Sequence, residues 1–291
     1  MPHAANTRDA LRPPEEIKKR VTGDIKKLNR RLLEIACQLD AELRARTFAK
    51  TPPGILVASF YRKMVNTFSA IEILKKNRQI EEAWILLRVL LENHVTFFYF
   101  LKNDAKEMTR RYNDAAMLDK MKHLRAVDFY SGTPLARLHR RGEWEEVETE
   151  IKSRYDRKTL DAVRRNGFTG LNFEERAKAI GMKTMYESCY RIASRSVHMF
   201  DPAETPLYSM AFKGRPHEKR QLLKLRRQQL DFNQNMLLGR PSFIVAELVK
   251  NPLASLRLIG LGLGYEKFRD GMSPKAMTNT DPNGSFYIWR E

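Results

Sequence analysis

The stretch EEIKKRVTGDIKKLNRRLLEIACQLDAELRAR, residues 15–46, decides the fold class of this chain. Its apolar residues recur every three or four positions, at Ile17, Val21, Ile25, Leu28, Leu32, Ile35, Leu39 and Leu43. That interval is the period of one face of an α-helix, and the lysines and arginines lie largely off that face. Pro13 and Pro14 stand just before the pattern, as prolines commonly do where a helix begins. The sequence therefore predicts one long amphipathic helix.

The helical period continues along most of the chain. It predicts further helices at 55–76, 80–101, 104–129, near 143–165 and 173–180, and at 184–199, 218–238, 241–250 and 252–268. No run of alternating apolar and polar residues indicates a strand. The predicted fold class is all-α: a bundle of long helices with a charged, less regular middle insertion and shorter C-terminal helices. Residues 130–183, within that insertion, could form a separate lobe or pack on the bundle.

The same pattern divides the chain into parts. We expect a flexible N-terminus at 1–14, a single helical domain at 15–270 and a polar tail at 271–291. Within the domain, the core bundle covers about 55–200, and basic and apolar helices follow at 218–268. A chain of 291 residues is long enough to bury a sizeable core.

Composition narrows the cellular setting. Two cysteines, Cys37 and Cys189, exclude a disulfide scaffold and fit a reducing compartment, so we expect a cytoplasmic protein. The apolar stretch 83–101 has the length of a membrane span, but Arg88 and Glu92 lie in its middle, where lipid penalises charge. We therefore predict a helix buried in protein and no membrane partner.

The charge balance points to an anionic partner. The chain has 53 Lys and Arg against 35 Asp and Glu, a formal net charge of +18. A field of this sign attracts polyanions, of which nucleic acid is the commonest. We expect RNA as partner, with backbone contacts from Arg195, Lys219, Arg220, Lys224, Arg226 and Arg227. Phe168, beside two arginines, could stack on a base. The alternative is that these stretches are solvated helix faces.

The segment YESCYRIASRSVH, residues 186–198, has the residue types of an acid–base site. With about 100° per residue, a regular helix places Glu187, Arg191, Ser194, Arg195 and His198 on one face. The opposite face, predicted to pack on the core, holds Tyr186, Cys189, Tyr190, Ala193 and Val197. A histidine titrates near neutral pH and could move a proton, an arginine could hold a phosphate, and Ser194 could bond a phosphate oxygen. The alternative is a solvated face with a salt bridge between Glu187 and Arg191.

Arg88 and Glu92 are four residues apart on a predicted helix and so adjacent. Either they form a buried structural ion pair, or Glu92 orients His198 or Arg191 from a neighbouring helix. The histidines are scattered and no metal-ligand spacing occurs, so we expect no metal and no cofactor.

Two resemblances follow from these residues. Arg191 followed by His198 resembles the Arg-(four to six residues)-His signature of the HEPN superfamily (higher eukaryotes and prokaryotes nucleotide-binding). Over about residues 55–200 the chain also resembles an uncharacterised bacterial helical family, in which an Arg-xxx-Glu helix precedes a Tyr…Ser…His helix. The matching positions here are Arg88, Glu92, Tyr190, Ser194 and His198.

The HEPN resemblance implies a metal-independent endoribonuclease of toxin–antitoxin, CRISPR-linked or phage-defence systems, with a site built by a homodimer. It implies that Arg191 binds phosphate and that His198 is the acid–base residue, and we add Ser194 and Glu92 as catalytic candidates. The alternative function is a non-catalytic basic helical module that binds nucleic acid or an acidic partner protein, such as an antitoxin.

Overall fold

A computed structural model describes residues 24–128, 141–191, 193–194 and 216–270, and all regular structure in these ranges is helical, without a strand. The prediction of an all-α fold is confirmed. The helices are α1 (Ile25–Ala45), α2 (Pro52–Lys76), α3 (Ile80–Lys102), α4 (Ala105–Asp128), α5 (Arg141–Ser153), α6 (Arg157–Asn166), α7 (Phe173–Ala179), α8 (Lys183–Met185), α9 (Pro216–Leu248) and α10 (Pro252–Asp270). A 3-10 turn covers Thr47–Lys50, and α8 continues into a π-helical turn at Tyr186–Tyr190.

Helix α1 begins at Ile25 because Asp24 caps it. The Asp24 carboxylate accepts hydrogen bonds from the backbone N–H groups of Lys26, at 3.0 Å, and Lys27. These backbone bonds hold the pKa of Asp24 below its usual value despite some desolvation. The predicted apolar face is buried from Leu28 to Leu43. The part of the predicted helix before residue 24 lies outside the described residues.

Helices α2, α3 and α4 agree with the predicted segments to within a few residues. Pro52 and Pro53 begin α2 instead of merely preceding it, because a proline in the first turn lacks only an N–H that has no helical acceptor there. Helix α3 is long and apolar enough to cross a membrane, yet 61% of its most apolar window is buried inside the protein. Its predicted burial is confirmed, while the absence of a membrane partner stays a prediction.

Helix α9 corrects one prediction. The sequence predicted separate helices at 218–238 and 241–250, but α9 runs unbroken past Pro241. A proline within a helix leaves the carbonyl four residues earlier without its usual donor. That carbonyl belongs to Leu237, and the Nδ1 atom of His94 lies 2.8 Å from its oxygen. A histidine from α3 thus supplies the donor that Pro241 lacks.

The chain divides into two compact units. In the described ranges, unit 1 contains 24–50, 57–94 and the residues from 184 onward, and unit 2 contains 51–56 and 95–183. The described part of the predicted insertion therefore belongs to the same unit as α4. In unit 2, the core is formed by Leu118, Met121, Ile151, Leu160 and Val163.

Unit 1 combines an apolar core with a buried polar network. Trp84, Tyr61 and Phe68 are fully buried in that core. Between α1, α2 and α9, the amide of Asn29 donates to Glu72 at 3.0 Å and to Asp231 at 3.2 Å. The network also includes Lys75, Gln234, Asn235 and Tyr265, each of them buried. Its hydrogen bonds and ion pairs connect the three helices at defined positions.

Candidate functional site

Helix α3 and the π-helical turn bring Arg88, Glu92 and Tyr190 together within unit 1. Arg88 Nε lies 3.0 Å from Glu92 Oε1, and Arg88 Nη2 donates to the Tyr190 hydroxyl oxygen at 2.9 Å. The Arg88 guanidinium carbon also lies 4.8 Å from the centre of the Tyr190 ring, within the range of a cation–π contact. One guanidinium therefore connects two segments that are 102 residues apart. We call these three residues the Arg88 cluster.

The Arg88 cluster is partly open to solvent. The side chains of Arg88 and Glu92 are 25% and 40% exposed. The ion pair is therefore present, but it is not buried, contrary to its interpretation as a buried structural pair. Burial lowers the pKa of Arg88, but the hydrogen bond to Glu92 and the electrostatic interactions with Tyr190 and Glu92 outweigh it and raise that pKa overall.

The π-helical turn is a feature that the sequence did not predict. The backbone N–H of Arg191 bonds to the carbonyl of Tyr186, five residues earlier instead of four. The wider turn stacks the rings of Tyr186 and Tyr190, with centroids 5.2 Å apart. Both tyrosines were expected on the core face, yet both are half-buried. Single π-turns inside helices occur frequently at functional sites.

Only part of the predicted acid–base face is exposed in the structure. Arg191 Nη1 pairs with Glu187 Oε2 at 3.0 Å, and these side chains are 65% and 40% exposed. The hydroxyl oxygen of Ser194 is buried and has no hydrogen-bond partner among the described residues. The Ser194 hydroxyl is therefore not presented to solvent beside the Arg191 guanidinium. Arg195 and His198 lie outside the described residues.

The core side of the same segment is as predicted for two residues. Cys189 is 1% exposed and Ala193 is fully buried. Burial raises the pKa of the Cys189 thiol to about 12. The thiolate needed for nucleophilic catalysis is thus disfavoured at neutral pH, and Cys189 is a packing residue.

The chain matches, over residues 54–203, a family of unknown function (DUF5677). It belongs to the DUF5677 family. The matched range covers more than half of the chain and contains all three members of the Arg88 cluster. No curated protein and no solved structure matches the chain.

Helix α9 follows the DUF5677 segment and carries most of the predicted nucleic-acid-binding residues. Arg220 and Lys224 are exposed and Arg227 is half-buried, whereas the side chain of Lys219 lies outside the described residues. Arg226 corrects the prediction, since it is 7% exposed. Its guanidinium pairs with Glu81 at 2.7 Å and lies 5.9 Å from the Trp84 ring. Arg226 therefore connects α9 to α3 through contacts inside the protein.

Two further candidates from the sequence are core residues. Phe168 is 8% exposed and packs edge-to-face on Tyr112, so it is not available to stack on a base. His94 is 1% exposed, and burial lowers its pKa to about 3, which keeps the ring neutral. In the part of the chain that the structure describes, no three His, Cys, Asp or Glu side chains lie close enough to hold a metal ion.

Proposed function

We propose that this DUF5677 protein is a metal-independent endoribonuclease whose site lies between the Arg88 cluster and the segment that follows Tyr190. The observation that carries the proposal is the hydrogen bond of 2.9 Å from Arg88 to Tyr190. It joins the two motifs on which the resemblance to the uncharacterised bacterial helical family depends. It also leaves part of both side chains exposed to solvent.

The reaction would need a proton acceptor and a phosphate ligand. A base removes the proton of a ribose 2′-hydroxyl, the 2′-oxygen attacks the adjacent phosphorus, and the 5′-oxygen leaves with a proton from an acid. The products are a 2′,3′-cyclic phosphate and a free 5′-hydroxyl. His198 is the candidate for the proton transfers, because an imidazole titrates near neutral pH.

Arg191 is the candidate phosphate ligand. Its guanidinium is mostly exposed, and its partner Glu187 is on the same helical turn. An exposed pair of this kind is weak, so a phosphate dianion-like transition state could replace the carboxylate on the guanidinium. Tyr190 accepts a hydrogen bond from Arg88, and in the proposed transition state its own O–H donates to a phosphate oxygen.

The test is cleavage of mixed single-stranded RNA and transfer RNA in EDTA. Wild type should produce cyclic phosphate ends, and His198→Ala should lose that activity while its RNA affinity is kept. Tyr190→Phe should lower the rate about 10-fold or more, as expected when one transition-state hydrogen bond is removed. Intact RNA with the wild type, at low salt and over a range of protein concentrations, would contradict the proposal.

Tyr155→Phe is the matched control. Like Tyr190, Tyr155 accepts a hydrogen bond from an arginine, Arg110, at 3.4 Å, and that guanidinium lies 5.1 Å from its ring. Unlike Tyr190, its hydroxyl also donates to the carboxylate of Asp114 at 2.7 Å. It belongs to unit 2, outside the proposed site. The two variants remove the same atom from similar surroundings, so a loss of activity confined to Tyr190→Phe would be due to the site and not to stability.

The second candidate function is a binding module without catalysis, favoured by one observation. Arg191 already has a carboxylate partner, as does Arg88. A module predicts salt-sensitive RNA binding by the wild type with no cleavage, or binding of an acidic partner protein. The resemblance further suggests a homodimer and a role in defence or as a toxin. Sedimentation gives the oligomeric state, and growth arrest on expression, relieved by His198→Ala, would support the toxin role.

A further inference from the structure

Three helices of unit 1 meet at one end of the unit through the buried polar network. Asn29 lies near the beginning of α1, Glu72 and Lys75 near the end of α2, and Asp231 in the middle of α9. Lys75 Nζ pairs with Glu72 at 2.6 Å and also pairs with Asp231. Several exposed residues of these three helices lie within a few turns of this network along the helix axes.

Many of these residues are cations, and together we call them the basic end. Its members are Lys26, Lys27, Arg30 and Arg31 of α1, Lys76 and Arg78 at the end of α2, and Arg220, Lys224 and Arg227 of α9. All are exposed except Arg227, which is half-buried. Along α9, Arg227 is about 6 Å and Arg220 about 16 Å from Asp231, at 1.5 Å per residue. The charge of Arg227 contributes to lowering the pKa of Asp231, while the burial of that carboxyl raises it overall.

Few of these charges are neutralised within the protein. Lys27 pairs with the capping residue Asp24 at 3.7 Å. The described ranges contain no ion-pair partner for six other members, which are Lys26, Arg30, Arg31, Lys76, Arg78 and Lys224. On α1, Lys26 and Arg30, and likewise Lys27 and Arg31, are four residues apart, where like charges repel, and a bound polyanion would relieve that repulsion.

Arg78 adds an independent observation. It has φ +64°, in the left-handed region, where a helix usually ends on glycine. The backbone N–H of Gln79 bonds to the carbonyl of Leu74 at 2.9 Å, which completes a Schellman-type ending. Arginine at this position costs about 1 kcal/mol relative to glycine. This turn places the exposed Arg78 between α2 and α3, at the start of the helix that carries Arg88.

We infer that the basic end binds the phosphate backbone of RNA and leads the strand to the site on α3. This inference rests on the proposed function, since it supplies the surface that holds the substrate. Arg78 and Arg88 are ten residues apart, so the basic end lies about 15 Å from the Arg88 cluster along α3. The contacts are charges on long side chains, which give affinity without reading the base sequence.

The test measures binding separately from cleavage. The probe is a fluorescein-labelled 2′-O-methyl RNA 20-mer, which lacks the attacking hydroxyl, and the readout is anisotropy at several KCl concentrations. Arg30→Gln/Arg31→Gln removes two charges from exposed helix positions. With a slope of about 0.7 per single-strand phosphate contact, affinity should fall about 25-fold at 0.1 M salt, and the salt slope should decrease by about 1.4.

The control is Lys50→Gln/Lys250→Asn, which removes two exposed charges at the opposite end of unit 1. Asparagine suits residue 250 because that residue has φ +55°. The control should bind like wild type. Equal affinities and slopes for the two double variants would overturn the inference, and so would equal competition by poly-L-glutamate at the same charge concentration, which would point to an acidic protein instead.

The outcomes separate the two proposals. If the basic-end variant loses affinity but the wild type cleaves no RNA, the binding surface stands and the nuclease function fails. If the wild type cleaves RNA but both double variants bind equally, the nuclease stands and the basic end does not. If the wild type does not bind the probe at 0.05 M salt, the inference is overturned whatever the cleavage result.

Discussion

His94 should make the stability of unit 1 depend on pH in a defined direction. The ring is buried against α9, and burial lowers its pKa from 6.5 to about 3. Below pH 6.5 the unfolded chain takes up a proton at this residue, whereas the folded chain stays neutral until pH is near 3. The stability associated with neutral His94 is therefore fully present above pH 6.5 and is lost progressively as pH falls towards 3.

The magnitude follows from one proton and about 1.4 kcal/mol per pH unit. Between pH 7 and pH 5 the loss is about 2 kcal/mol, after allowing for partial protonation near pH 6.5. Protonation would also force the ring out of its contact with the Leu237 carbonyl, because the charged ring would have to reach water. The Leu237 carbonyl, which Pro241 leaves without a helical donor, would then have no hydrogen-bond donor within the core.

The assay is denaturant unfolding at pH 7, 6 and 5 of wild type, His94→Gln and His123→Gln. Glutamine does not titrate and keeps an amide that can donate to the carbonyl. His123 is 73% exposed and serves as the control for losing a histidine. Wild type and His123→Gln should lose about 2 kcal/mol more than His94→Gln between pH 7 and 5. Parallel pH dependence for all three proteins would refute the reasoning.

Three further predictions concern other sites. Lys75→Met should lower the free energy of unfolding by about 3 kcal/mol in urea, since Asp231 would lose its buried counter-ion. An unchanged free energy of unfolding would mean that the ion pair does not contribute to stability. Lys250→Gly should stabilise it by about 1 kcal/mol in the same assay, because residue 250 has φ +55°; an unchanged midpoint would exclude strain there. Glu187→Gln should tighten RNA binding a few-fold by releasing Arg191, and weaker binding would argue against Arg191 as a phosphate ligand.

The helices were predictable because their apolar faces are regular. The face from Leu28 to Leu43 is buried at the positions that the period indicates. Cys189 and Ala193 were likewise placed on the core side correctly. One wide turn shifts the angular position of nearby residues only slightly, and small side chains stay buried despite that shift. Local patterning is sufficient wherever burial alone decides which side of a helix faces inward.

The failures all depend on a partner that is distant in sequence. Helix α9 continues through Pro241 because His94, 143 residues away, supplies a hydrogen-bond donor. Arg226 is buried because Glu81 and Trp84 offer it a charge and a ring. No periodicity within α9 contains that information. A sequence signal did exist for Arg226, which is one position from Arg227 and so faces a different side of the helix.

The π-helical turn had no signal in the residue pattern, and it has the largest consequence for the site. A regular helix would have placed Ser194 beside Arg191, which made serine a candidate ligand of the phosphate. In the structure, Tyr190 lies within the wide turn and contacts Arg88, whereas the Ser194 hydroxyl is buried. The tyrosine, not the serine, is therefore the hydroxyl that the fold presents beside an arginine.

Comparison of two similar clusters shows why the Arg88 cluster is the better candidate. In unit 2, Arg110 and Tyr155 also meet at a carboxylate, that of Asp114, and Arg154 binds its other oxygen at 2.8 Å. Asp114 has a side-chain exposure of 6%, and burial together with the bond to Asp114 raises the pKa of Tyr155 to about 12. Such a carboxylate is surrounded by its own ligands and can accept no substrate.

In the Arg88 cluster the same residue types have a different balance. Glu92 is 40% exposed and Arg88 is 25% exposed, and Tyr190 of the cluster directly precedes Arg191 in the chain. A substrate phosphate approaching this face would meet a guanidinium and a phenol that are already oriented by each other, so little conformational entropy would be lost on binding. If Tyr190→Phe and Tyr155→Phe lower RNA cleavage equally, that distinction between an internal cluster and an accessible one is wrong.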